Sequence, residues 1–199
     1  MIEGIDTSSW QGEYVDWHKV KNNNIDFVFI KSTQDQSYFN EYFSDDWDDA
    51  KAVSLVRGTY HFADPHASGP AESFTFFKSK VRHLHPGDLI ALDIEIDHPE
   101  LTKWTAEWMD LVEREYFAQP ILYTNLDYVN RYFRNTGLQR YSLWLASYSK
   151  HPDSIDQSGL GPIKFWQYTD TGKVNGVDGF VDRNQFLGTY GELRDMGAK

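Results

Sequence analysis

The chain has 199 residues, a formal charge of −11 and no cysteine. That length builds one full hydrophobic core and is short for two. The acidic balance speaks against nucleic acid as a partner, and the lack of cysteine excludes a disulfide framework and thiolate chemistry.

Met1 to Asp6 leads straight into a strand-like segment and does not read as a signal peptide. Export would then use another route or follow removal of a leader. Strand patterns recur at residues 2–6, 27–31, 57–62, 89–96, 120–124, 142–147, 163–168 and 179–184. Between them lie helical patterns at 17–22, 42–55, 71–84, 102–116, which opens on an N-cap threonine, and 128–134. Alternating strands and helices imply a parallel sheet, and eight strands suggest a barrel. Eight full strand–helix units typically take ~250 residues, so helices must be missing. Residues 148–162 have loop composition. Residues 169–178 carry turn signals at Thr171-Gly172 and Asn175-Gly176 and are too short for a parallel crossover, so a hairpin is expected. The expected fold is a shortened TIM-like α/β barrel of five strand–helix units followed by three strands without regular helices. It would form one domain over residues 1–199, with 188–199 as a C-terminal extension. No apolar run approaches the ~20 residues of a membrane span, so no membrane insertion is expected.

The most informative segment is Leu89-Ile90-Ala91-Leu92-Asp93-Ile94-Glu95-Ile96. Side chains two apart on a strand share a face. Ile90, Leu92, Ile94 and Ile96 form one face; Leu89, Ala91, Asp93, Glu95 and, by extension, Asp97 form the other. Two carboxylates side by side raise at least one pKa and supply the acid and base that glycoside hydrolysis needs. A frayed strand end with chance acids is the plainer reading, but a D-x-E after an apolar run favours function over it. Parallel barrels carry their sites at the C-terminal strand ends. There Asp6, Asp93, Glu95 and Asp182 converge, with Asp6 beside Asp182 once the barrel closes. As structural residues, Asp6 would cap the turn at Thr7-Ser8-Ser9 and Asp182 would pair with Arg183. Lys31, Tyr60, His61, Tyr123, Tyr148, Gln167 and Tyr168, at or beside the other strand ends, are the candidate substrate contacts. Aromatic residues make up 16% of the chain, more than packing ordinarily needs, and aromatic faces stack on sugars. Trp166, out of phase with Gln167, is expected in the core.

Six blocks resemble family 25 glycoside hydrolases, the Chalaropsis-type lysozymes, in their order along the chain. They are Gly4-Ile5-Asp6-Thr7-Ser8-Ser9-Trp10-Gln11-Gly12, Phe27-Val28-Phe29-Ile30-Lys31, Gly58-Thr59-Tyr60-His61-Phe62, Leu92-Asp93-Ile94-Glu95, Phe165-Trp166-Gln167-Tyr168 and Gly179-Phe180-Val181-Asp182-Arg183-Asn184. The resemblance implies a barrel of this shortened kind. It also implies an N-acetylmuramidase cutting the β-1,4 bond from N-acetylmuramic acid to N-acetylglucosamine in peptidoglycan. By position, Glu95 matches the family's general acid. Asp93 matches its nucleophile, or the support of the substrate's 2-acetamido group. Asp6 and Asp182 match two further acids, and Tyr60 a cleft tyrosine. Gln34 departs from the pattern, standing where a glutamate is usual, with Asp35 the nearest acid to replace its charge. The implied partner is the peptidoglycan glycan strand, attacked by a monomer outside the cell or in its wall, as a secreted enzyme or phage lysin.

Two other classes compete. A metal-dependent carbohydrate esterase would use His61, His66, Asp64 and Asp93 as ligands, but His-x4-His spans a loop here rather than a helix face. No metal and no cofactor are therefore expected. A catalytically silent glycan-binding barrel is disfavoured by the presence of all four acids.

Overall fold

The computed structural model describes residues 1–12, 14–82 and 84–198. Its strands are β1 (Ile2–Thr7), β2 (Ile25–Gln34), the two-residue β3 (Tyr38–Phe39), β4 (Val56–Ala63), β5 (Leu89–Ile94), β6 (Ile121–Asn125), β7 (Leu143–Ala146), β8 (Ile163–Gly172) and β9 (Val181–Phe186). β1 pairs with both β2 and β9, which closes eight strands into a barrel with β3 as a short edge on β2. Every pairing from β1 through β8 around the barrel is parallel, whereas β9 runs antiparallel to β8 and β1. A hairpin joins β8 to β9 as expected, but β8 runs on through Thr171-Gly172, and of the two turn signals only Asn175-Gly176 forms a turn.

Helices α1 (Trp17–Asn22), α2 (Phe43–Ala52), α3 (Pro70–Lys80), α4 (Leu101–Tyr116) and α5 (Leu126–Tyr128) follow the first five barrel strands. α5 is a single turn that continues as a π-turn over Val129–Phe133. β7 and β8 are followed by no α-helix, giving the shortened TIM-like barrel. Asp16 caps α1 by accepting from the Lys19 N–H, and Pro70 opens α3, where its missing N–H costs nothing. The expected threonine cap of α4 is not used. The helix starts at Leu101, and Thr102 donates instead to the Tyr132 carbonyl at 2.7 Å, tying α4 to the π-turn.

Strand alternation divides the apolar residues in two. Ile90, Leu92 and Ile94 join the layer between sheet and helices. Leu89 and Ala91 fill the barrel interior with Phe27, Phe29, Trp144 and Phe165. Two motif glycines make room for these rings. A Cβ at Gly4 would stand 2.3 Å from the Phe27 ring, and one at Gly58 would stand 2.2 Å from the Phe29 ring. β5 stops at Ile94, two residues short of expectation, where the Thr124 hydroxyl takes the Ile94 carbonyl at 2.7 Å. Asp97 consequently turns to solvent and pairs with Arg131 at 2.7 Å, away from the inner face.

Trp166 is not core. It is half-buried on the outer barrel face against His151 and Tyr168, its indole N–H donating to the Ser147 carbonyl. That face stays open because no helix follows β7 or β8 to cover it. The 188–199 extension contains α6 (Tyr190–Asp195), opened by a Thr189–Glu192 capping box. α6 sends Leu193 into the interior cluster, and Ala198 exchanges backbone bonds with Gly87 and Asp88.

Candidate active site

Because β9 is antiparallel, its first residues reach the barrel mouth where the parallel strands end. Asp6 and Asp182 are direct register partners there. Asp93, penultimate in β5, and Glu95, just past its end, stand across the mouth on a strand that is not adjacent to either. The four acids line one cleft of about 330 Å³, together with Lys31, Tyr60 and Tyr123. A larger hollow of about 790 Å³ lies at the opposite end, beside Arg57, Asp88 and α6. The acids place the chemistry at the smaller one.

The cleft holds Asp6, Asp93, Glu95 and Asp182 above the usual carboxylate range. Burial, then the charge of Glu95, raises Asp93 well up. Its Oδ1 is buried with no hydrogen-bond partner among the described residues. Glu95 is raised by burial, an effect moderated by hydrogen bonds to Asn125 and Asp93. Asp6 is raised by burial and by Asp182; Asp182 is itself pushed to about 6, chiefly by burial. Two close pairs of carboxylates thus each favour retaining a proton.

Gln167 binds the second pair together. Its Nε2 donates to Asp6 at 3.0 Å and Asp182 at 3.1 Å, while its Oε1 accepts from the hydroxyls of Tyr123 and Tyr148, both at 2.9 Å. Both donors and both lone pairs of the amide are used. Asn184 adds a donor to Asp6 at 2.8 Å and accepts from the Trp144 indole at 2.7 Å. Trp144 stacks on Phe29 with 4.2 Å between centroids, and Tyr60 and Tyr123 meet it edge-on. The acids therefore rest on a rigid aromatic floor.

Lys31 reaches the cleft above the Phe62 ring, 4.6 Å from its centroid, and donates to Gln34 Oε1 at 2.8 Å. Burial lowers its pKa. Asp35 acts on Lys31 through its charge, which raises the Lys31 pKa against the effect of burial, rather than through a hydrogen bond. Its Oδ1 instead accepts from the Ser37 N–H and hydroxyl, closing the turn.

Of the expected substrate contacts, Lys31, Tyr60 and Tyr123 line the cleft. Gln167 is buried behind its wall, and Tyr148 stands half-exposed on Gln167. Two expectations are corrected. His61 points outward from β4 and is fully buried, stacked on Trp108 with its ring nitrogens 2.8 Å from Thr33 Oγ1 and 2.6 Å from Ser73 Oγ. Burial holds its pKa near 3, so it is neutral. Tyr168 also points outward, its hydroxyl on Glu3 and its ring beside Arg183. The esterase ligands fail with His61: His66 instead contacts the Asp97 carbonyl at 2.8 Å. Among the described residues no three His, Asp or Glu side chains are grouped to hold a metal ion.

Sequence reasoning missed Asn125, Asn184 and Trp144. Asn184 was accessible, two residues beyond Asp182 and hence on its face. Asn125 ends β6 and caps α5 through its Oδ1, which leaves its amide N–H for Glu95. That link is tertiary.

The model for glycosyl hydrolases family 25 matches residues 5–177. The chain belongs to that family. It is accordingly a glycoside hydrolase. Lysozyme M1 of Streptomyces globisporus is 30% identical over 96% of this chain and 70% of its own length. The uncharacterized protein YegX of Escherichia coli K12 is 34% identical over 97% of this chain and 72% of its own. In structure the chain is similar to a bacterial lysozyme from Streptomyces coelicolor, with a TM-score of 0.90 and 28% identity over 98% of this chain and 96% of that one.

Proposed function

We propose that the chain is an N-acetylmuramidase that hydrolyses the β-1,4 bond between N-acetylmuramic acid and N-acetylglucosamine in peptidoglycan, with retention and through the substrate's own acetamido group. The observation that carries the reading is the Asp93–Glu95 pair. One member is buried with an unpartnered oxygen, the other is open to the cleft, and each carboxyl shifts the pKa of the other. The lysozyme relatives supply the substrate class.

In the free site burial and mutual repulsion make the pair share a proton. A sugar bound in the cleft places its acetamido N–H against the Asp93 carboxylate. This favours Asp93 as carboxylate and sends the shared proton to Glu95. Glu95 then protonates the leaving glycosidic oxygen as the acetamido carbonyl oxygen attacks the anomeric carbon, and Asp93 stabilises the positive charge on the cyclic intermediate. Water, deprotonated by Glu95, opens that ring from the opposite face and restores the original configuration. Asp6 and Asp182, fixed by Gln167 and Asn184, hold the sugar from the other wall. The whole chain acts as a single catalytic domain, a monomer working on the wall outside the cell. No helix among the described residues is long and apolar enough to cross a membrane.

Following the product anomer by NMR tests the chemistry. The first-formed product is the β-anomer, and no sugar adduct accumulates on the protein. A covalent adduct on Asp93 would establish direct nucleophilic attack instead, and an initially inverted product would reject both routes.

A further inference from the structure

Two aromatic residues at the cleft are not accounted for by the acids or by packing. Trp10 is 92% exposed and Phe180 58% exposed, yet both line the cleft. Trp17, Trp47, Trp104, Trp108 and Trp144 are all buried and Trp166 is half-buried, so Trp10 is the most exposed of the seven indoles. Trp10 has no ring contact among the described residues, and the ammonium of Lys173 lies over the Phe180 ring at 5.5 Å. Large apolar surface left in water beside a site marks a place for a ligand.

Their placement is built rather than incidental. The turn carrying Trp10 is held by a reciprocal cap, the Ser8 hydroxyl accepting from the Trp10 N–H and Gln11 Oε1 accepting from the Ser8 N–H at 2.8 Å. Gln11 Nε2 then donates to the Phe180 carbonyl at 3.4 Å, linking the two rim segments across 169 residues. Gly12 and Gly179 flank the pair at φ of +82° and +81°. Neither has an atom within 4 Å of where a Cβ would stand, so conformation alone calls for glycine there.

We propose that Trp10 and Phe180 form a stacking platform for a neutral N-acetylglucosamine unit of the glycan, outside the sugar that reacts at Glu95. The proposal rests on the muramidase reading of the cleft. A pyranose with equatorial substituents presents flat C–H faces to an aromatic ring and turns its hydroxyl and amide groups to the rim. Asp170 and Asp182 line the same cleft. Their charge disfavours a stem peptide, with its carboxylates, and admits a neutral sugar.

The test has two arms on the full chain. In the first, Trp10→Ala and Phe180→Ala each raise KM for glycan strands stripped of peptide by about 2- to 12-fold, the span of one aromatic contact. kcat changes less, and Trp10→Tyr recovers most of the loss. In the second, N-acetylglucosamine oligomers added to Glu95→Gln protein shield tryptophan fluorescence from acrylamide, and Trp10→Phe abolishes the shielded component. An unchanged KM with no shielding overturns the platform. Shielding by stem peptide but not by the oligomers transfers the surface to peptide and also overturns it. If the parent does not dissolve peptidoglycan yet the oligomers still shield Trp10, the platform stands and the muramidase reading fails.

Discussion

The two ends of the barrel treat charge in opposite ways. At the N-terminal end Arg57 grips Asp88 through bonds of 2.7, 2.9 and 3.1 Å, and its remaining terminal nitrogen donates to the Trp47 carbonyl at 2.8 Å. Asp88 also accepts from the His85 N–H at 2.8 Å, and the indole of Trp47 lies 4.1 Å from the guanidinium. Each charge is met, and the C-terminal segment pairs with the backbone beside it. Among the described residues five carboxylates at the mouth, Asp170 included, share one lining cation, Lys31, which hydrogen-bonds a neutral glutamine. One carboxylate oxygen there has no partner. A buried pair that satisfies itself holds a fold together but has no free valence for chemistry. Carboxylates kept above their ordinary pKa store the protonation states that acid–base work requires, at a cost in stability.

Substitutions at the two ends should therefore separate activity from stability. The largest effect belongs to the mouth. Glu95→Gln lowers kcat by ~10²–10⁴-fold, the span of a general acid, with a melting temperature no lower than the parent's. Near-parental turnover would remove Glu95 from that role. At the other end Asp88→Ala leaves Arg57 buried and unpaired, costing about 3–5 kcal/mol in denaturant unfolding, while kcat per folded molecule stays the same. A parallel loss of kcat would show that the ends are coupled.

Smaller, and opposite in sign, is Asp182→Asn. The folded chain holds the Asp182 proton to about pH 6, whereas an unfolded aspartate releases it near ~3.9. Between these values the folded state binds more protons, so stability falls as pH rises through that window. Removing the titration should stabilise the protein at pH 7 by roughly 1–2 kcal/mol after allowance for partial solvent screening, and flatten stability between pH 4 and 6, while activity drops. A destabilised variant with the slope intact would contradict the account of the mouth. The smallest effect is that of Tyr60→Phe, which removes one hydroxyl from the cleft and should lower kcat/KM by about 2- to 12-fold, the worth of one hydrogen bond. Moderate salt should matter less still, because contact rather than net charge dominates binding.

Strand periodicity made much of this legible. The five-plus-three organisation follows from where helical patterns stop. The convergence of Asp6, Asp93, Glu95 and Asp182 follows from strand ends and closure. The errors at His61 and Tyr168 came from reading strand ends as blocks. His61 is out of phase with Tyr60, and Tyr168 with Gln167, so alternation already turned both away from the cleft. For Trp166 phase alone was insufficient: it does face outward, but no helix covers that face. The early end of β5 was beyond reach, since it depends on Thr124 of the neighbouring strand capturing the Ile94 carbonyl. So were the link from Asn125 to Glu95 and the exposure of Trp10, which depend on how separate segments meet.

On the proposed function, the unmet charge at the mouth cuts the glycan on the reducing side of N-acetylmuramic acid. This is tested most directly by digesting purified peptidoglycan and determining the new reducing ends by borohydride reduction and mass spectrometry. The parent should yield reduced N-acetylmuramic acid, and Glu95→Gln should yield at least ~10²-fold fewer new reducing ends at equal early times. Reduced N-acetylglucosamine, release of acetate without chain cleavage, or the same digest from Glu95→Gln would contradict that function.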